Sequence, residues 1–285
     1  MNDIAVHAAV SAYEIASRLD VPWSHACVEE WIDEEQLYVA GGAPFLTGAE
    51  IDSVTGDAVR LLRFGGEPTS AELSSALRWA ADACSEQIIS VEARNAIELL
   101  GGPGLQVLVE RVFDGATETK SVSSNFADAP GWVRDGLAAS LRNGVAARDF
   151  AGGDPRFGEQ DVSELLARLD STPDVFVYRL ADGQLAAVGR IGADDWDGSD
   201  LIELLDLVGD DLRRSDDLLA DVADALGVNR VRGAVTVGRD PNGPRVLAGL
   251  LARGWNRVRD QVLMPAGTRD CVPAQGTTRS TTERP

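Results

Sequence analysis

Lysine and histidine are almost missing from this chain: of its 26 lysines and arginines only Lys120 is a lysine, and the histidines are His7 and His25. No H-E-x-x-H run and no Cys/His cluster occurs, which excludes the common zinc and haem patterns, so no metal is expected. The three cysteines, Cys27, Cys84 and Cys271, lie far apart and form no C-x-x-C pair. They read as reduced thiols of a cytoplasmic protein. No apolar run approaches the ~18–20 residues that cross a bilayer, so a membrane partner is not expected. The first twenty residues carry Asp3 and Glu14 and lack a basic n-region, which argues against a signal peptide. They read instead as a helix, with Ile4, Ala8, Ile15 and Leu19 roughly in phase. Basic charge is also short. The formal net charge is −20, and so acidic a body repels phosphate backbones, which argues against a nucleic-acid partner.

What is present describes an α/β protein. A chain of 285 residues has room for two ordinary domains, and 44% hydrophobic content can fill their cores. A second helix is expected over 24–36, capped by Ser24 and closed by Gly41-Gly42. Then follow a strand at 58–64, a helix opening at Thr69 or Ser70, a strand at 88–91, a short helix at 95–100 and a strand at 105–113. Residues 114–131 are polar and turn-rich and read as a linker, which with a helix at 132–141 closes the first region. Beyond it the pattern predicts a strand at 145–150, an amphipathic helix at 158–169 and a hairpin of 175–180 with 184–191 across Asp182-Gly183. A buried-type strand at 201–208, a helix at 216–226, a strand at 230–237, a helix at 244–252 and a last strand at 256–264 complete it. The expected divisions are 1–113, 114–141, 142–267, and a disordered tail at 268–285.

Three local runs carry a family resemblance: DGQLAAVGRI at 182–191, LIELLDLV at 201–208 ending in Val208, and Asn242 followed by a helix and Gly254-Trp255. In this order and spacing they resemble the GNAT N-acetyltransferase superfamily. The helix at 70–84, the strand at 88–91, Asn95, Gly104-Leu105 and the strand at 107–113 repeat part of this order. The chain is therefore similar to the tandem GNAT proteins of actinobacteria, with an eroded first copy. The fold class so implied is α/β (α+β): two mixed sheets flanked by helices.

The resemblance implies an acyl-CoA-dependent transferase acting on a small amine, with acyl-CoA held near Val208, Arg213, Arg214, Ser215 and Asn242. It also places Trp255 beside the substrate and a general base on the central strand, at Glu203 or Asp206. Three apart on a strand, these two carboxylates are expected on opposite faces, so that one at most faces a cleft; Glu203 could also pair with Arg190 on the neighbouring strand. The pattern departs from the family in two ways. The glycines of the diphosphate loop are replaced by Arg214, Ser215, Asp216 and Asp217, which predicts weak or absent acetyl-CoA binding. The late tyrosine position holds Leu250, and Leu100 in the first copy. Two other functions stay open: a repurposed member catalysing cyclisation or elimination on a small metabolite, and a non-catalytic binding protein. Homo-oligomerisation is left open. Asp194 to Asp200 is expected to be a solvated acidic loop.

Overall fold

The computed structural model describes residues 4–11, 15, 25–51, 58–83, 86, 88–100, 105–114, 121–148, 159–194, 198–209, 212–237 and 242–265. The strands are β1 (Val6–Ala8), β2 (Leu37–Ala40), β3 (Ala43–Ile51), β4 (Ala58–Phe64), β5 (Ile88–Ala93) and β6 (Leu105–Val112) in the first half. The second half supplies β7 (Ser121–Asn125), β8 (Val175–Leu180), β9 (Leu185–Ala193), β10 (Asp200–Gly209), β11 (Arg230–Thr236) and β12 (Asn256–Pro265). The helices are α1 (His25–Asp33), α2 (Ser70–Ala83), α3 (Ala96–Leu100), α4 (Gly131–Arg148), α5 (Glu159–Ser171), α6 (Ser215–Leu226) and α7 (Gly243–Ala252).

The twelve strands among the described residues form one mixed sheet in the order β1-β2-β3-β4-β5-β12-β6-β11-β10-β9-β8-β7. Reading β1 to β6 onto β7 to β12 turns this order into its own mirror. The sheet is therefore a tandem duplication with a pseudo-twofold axis between β12 and β6. Each copy lends its last strand to the other: β12 lies against β5, and β6 against β11. The axis passes through the pair Asp260–Val107, because the registers on its two sides match residue for residue.

One face of the sheet, here the front, carries α2, α3, α6 and α7. Leu62, Phe64, Ile89 and Val91 meet Leu73 and Leu77 of α2, while Ile202, Leu185 and Val231 meet Leu218, Leu219 and Val222 of α6. On the back, Val28 of α1 packs on Leu37 and Val39, and Val133 and Leu137 of α4 pack on Val175, Val177, Val188 and Val208. Period-two alternation sends the intervening residues to the opposite face. The middle of the back face is polar: Arg63, Glu92, Arg232 and Arg259 are all buried there.

The structure changes several expectations. Residues 6–8 are an edge strand, not part of a helix, and Leu19 and Ser24 lie outside the described residues. Gly41-Gly42 turns the β2–β3 hairpin rather than ending a helical unit. Residues 121–125, expected in the linker, form β7 on β8. Residues 145–148, expected as strand, extend α4, and 149–150 are outside the described residues, as are Cys84, 101–104 and the tail. Asp194 is 4% exposed, not solvated. Residues 195–197 also fall outside.

Candidate functional site

β10 and β11 run parallel but pair only at Ile202–Val231 and Glu203–Arg232. Both strands continue well past these pairs, so they part and leave an opening. In the first copy β4 and β5 stay paired from Val59–Ile88 through Arg63–Glu92, almost to their ends. The parting begins where β10 carries a bulge: Leu204 pairs with Gly189 and Asp206 with Val188, with Leu205 extra between them. Leu205 is 42% exposed at this kink.

The bulge corrects the expected facing of the two carboxylates. Glu203 pairs with Arg190 and Asp206 with Val188, two apart on β9. Both therefore project to the back, where Val188 packs under α4. Glu203 forms an ion pair with Arg190. Asp206 takes a hydrogen bond from Ser140 of α4 and another from the Leu207 N–H, at 2.8 Å. Burial outweighs both and pushes its carboxyl up to about 6. The Val208 side chain lies under α4, where it fills the space a Cβ would need at Gly136.

At the end of β10 the chain turns through Leu212–Arg214 into α6, whose N-cap Arg214 makes no side-chain cap. Arg213 is exposed, and Arg214 reaches Asp182 of the β8–β9 turn at 3.1 Å. Ser215 is buried and accepts a hydrogen bond from Arg253 at 3.1 Å. Asp216 pairs with Arg111 of β6 at 2.8 Å, with Arg253 at 3.7 Å. Its charge is thus tied down by two arginines that sequence reasoning had not connected to it, whereas Asp217 is exposed. Asn242 is exposed at the start of α7 and makes no side-chain cap. Trp255 was expected beside a substrate. It is instead 4% exposed in the core under α6, edge-on to Phe113 at 6.0 Å.

Among the described residues the first copy has no matching opening. Its β4 carries Leu61 and Arg63 on the back, where β10 carries Glu203 and Asp206. Arg63 and Glu92 pair at 2.7 Å across the strand ends, and Arg259 of the exchanged β12 adds a second guanidinium at 3.0 Å. Burial alone would raise the Glu92 carboxyl, but Arg259 and Arg63 hold it below the usual carboxylate range. The helix entrance is closed too. Thr69 and Glu72 form a reciprocal capping box on α2, and the other Glu72 oxygen accepts the Gly42 N–H. Among the described residues no His/Cys/Asp/Glu group could hold a metal ion, and no helix is long and apolar enough to cross a membrane.

No protein-family model and no curated protein matches the chain. It is similar to solved structures, among them a GCN5-related N-acetyltransferase from Sphaerobacter thermophilus at 14% identity. That match covers 93% of this chain and 96% of that one, with a TM-score of 0.44. Eis1 from Mycobacterium abscessus shows 15% identity over 92% of this chain and 74% of its own, TM-score 0.32. A tandem GNAT protein from the clavulanic acid biosynthesis pathway shows 12% identity over 82% and 83%, TM-score 0.35. Of these three, the Sphaerobacter protein is described as a GCN5-related N-acetyltransferase and the clavulanic acid pathway protein as a tandem GNAT protein.

Proposed function

We propose that the second copy transfers an acyl group from acyl-CoA to a small amine at the β10–β11 opening. The parting of these two strands, beside a carboxyl raised to about 6, carries this reading. A base with a pKa near neutrality is ionised at pH 7 yet still accepts a proton readily. Asp206 is that base, and Glu203, held by Arg190, shapes the site's charge beside it. The uncapped first turn of α6, with Arg213 and Arg214, offers N–H groups and positive charge for a diphosphate. Arg111 and Arg253 draw Asp216 away from that role, which removes part of the objection raised by the loop's sequence. Bound acyl-CoA would supply the activated acyl carbon; the chain orients the amine and takes its proton.

A second reading, a repurposed site that holds a small metabolite without acyl transfer, is favoured by Asp217 and the missing loop glycines. Thiol release from acetyl-CoA in the presence of a panel of amines separates the two. Release that requires both amine and Asp206 supports transfer; a bound amine with no release supports the second reading.

A further inference from the structure

We infer that Ser140 of α4 is a positioning residue for the base Asp206, and that the close approach of Gly136 to Val208 sets it there. The role presupposes acyl transfer at the β10–β11 opening. α4 crosses the back of β10 with no side chain at Gly136, where a Cβ would sit 2.1 Å from Val208 Cγ1. Helix and strand are thus pinned at one point. From Gly136 to Ser140 the helix advances four residues, ~6 Å along its axis. From Val208 back to Asp206 the strand covers two residues, ~6.6 Å, on the same face. The two steps match, and Ser140 meets Asp206 one helical turn beyond the pin. A serine inside a helix ordinarily turns its hydroxyl to solvent or to the carbonyl four residues back. That of Ser140 donates instead to a carboxylate on another element.

The Asp206 carboxyl is therefore held from two sides. The Leu207 N–H fixes Oδ1 from the strand at 2.8 Å, and Ser140 holds the group from the helix. Both bonds favour the ionised form, against burial, which favours the neutral one. Ser140 thus aims the carboxylate and keeps more of it ionised near neutral pH. On the elements packed around Asp206 the described charged groups are Arg190 on β9, Glu203 on β10, Arg232 on β11, and Arg134, Asp135 and Arg142 on α4. Arg190 is paired with Glu203, Arg232 with Glu110 and Asp194, and Arg134 with Asp170. The balance at Asp206 itself is set by burial, then Ser140, then the Leu207 N–H. The first copy offers no carboxylate for a helix to hold there, because Arg63 stands at the place of Asp206 and is bound to Glu92.

Ser140 is exposed, so its hydroxyl can be replaced without opening the core. Ser140→Ala and Ser140→Thr are compared first with no ligand. Carbon-13 NMR follows the Asp206 carboxyl through its titration, its signal identified by its absence from Asp206→Asn. The alanine variant should move the midpoint up from about 6 by about one pH unit, as for loss of one hydrogen bond. Threonine, which keeps the hydroxyl, should bring it back. A midpoint that stays or falls with alanine, or a threonine variant that matches alanine, overturns the inference. With acetyl-CoA and an acceptor amine, the rise of kcat/KM with pH should move up by the same amount. The loss is then about tenfold near pH 5.5 and vanishes above about pH 8. The amine's own titration is common to the three proteins and cancels. No loss, or a loss equal at every pH, marks a merely structural serine and also overturns the inference. If the carboxyl titration moves as expected but no amine is acetylated at any pH, the acyl-transfer reading fails instead, and the hold of Ser140 on Asp206 stands.

Discussion

Asp206 ties the site to stability. Its folded-state carboxyl is raised by burial from 3.8 to about 6. Between these values the folded state holds the proton more tightly than the unfolded chain, so stability falls as pH rises through the interval. A rise of this size corresponds to a cost on the order of 2–3 kcal/mol at neutral pH, where the buried group is ionised. Asp206→Asn removes the charge and keeps the shape. It is expected to melt higher than the parent at pH 7–8 and equally below about pH 4. If Asp206 is the base, the same variant loses turnover, and the parent's rate rises through about pH 6. A destabilised Asn variant at pH 7 would show that the carboxylate is not strained. The candidate pair was visible in the sequence, because two carboxylates interrupt an apolar strand. Their shared face was not: it depends on Leu205, and no local pattern marks that residue as a bulge.

At the level of elements, the bulge in β10 and the helix ends decide what the two copies can do. Deleting Leu205 leaves Glu203 and Asp206 on the same face but straightens β10 toward β11. The shortened chain should fold, by circular dichroism, and lose acetyl-CoA binding; retained affinity would separate the bulge from the opening. The ends of α3 and α7 show a matched change. The Ile97 N–H at the start of α3 donates to Asp260 Oδ2 at 3.1 Å. The equivalent residue at the start of α7 is Pro244, which has no N–H, and Val107 stands where a second Asp260 would be. Burial keeps the Asp260 carboxyl above its ordinary range despite Arg257 and the Ile97 N–H. Most second-half elements were legible, since the Asp182-Gly183 turn and the period-two and 3.6-residue patterns agree there. The β2–β3 hairpin was not, because Pro44, Gly48 and Gly41-Gly42 break the alternation that marks a strand.

For the whole molecule, reciprocal exchange of β6 and β12 means that neither half owns a complete sheet. A domain boundary drawn from sequence alone misses this, because pairing across more than 150 residues, as in Asp260–Val107, leaves no local trace. Calorimetry is expected to show one unfolding transition, and a chain ended after Gly254, lacking β12, should fail to fold in either half. Two independent transitions would contradict the shared core. The proposed function is nevertheless one-sided. The first copy keeps its strands paired, its helix start capped by Glu72 and its strand ends latched by Arg63 and Glu92. An acetyl-CoA titration by calorimetry, on the unaltered protein and on an Arg213→Ala/Arg214→Ala variant, tests this account most directly. One site per chain is expected, weakened at least about tenfold in the variant, as for loss of charge-assisted phosphate contacts. No binding, two sites per chain, or an affinity indifferent to both arginines would contradict it.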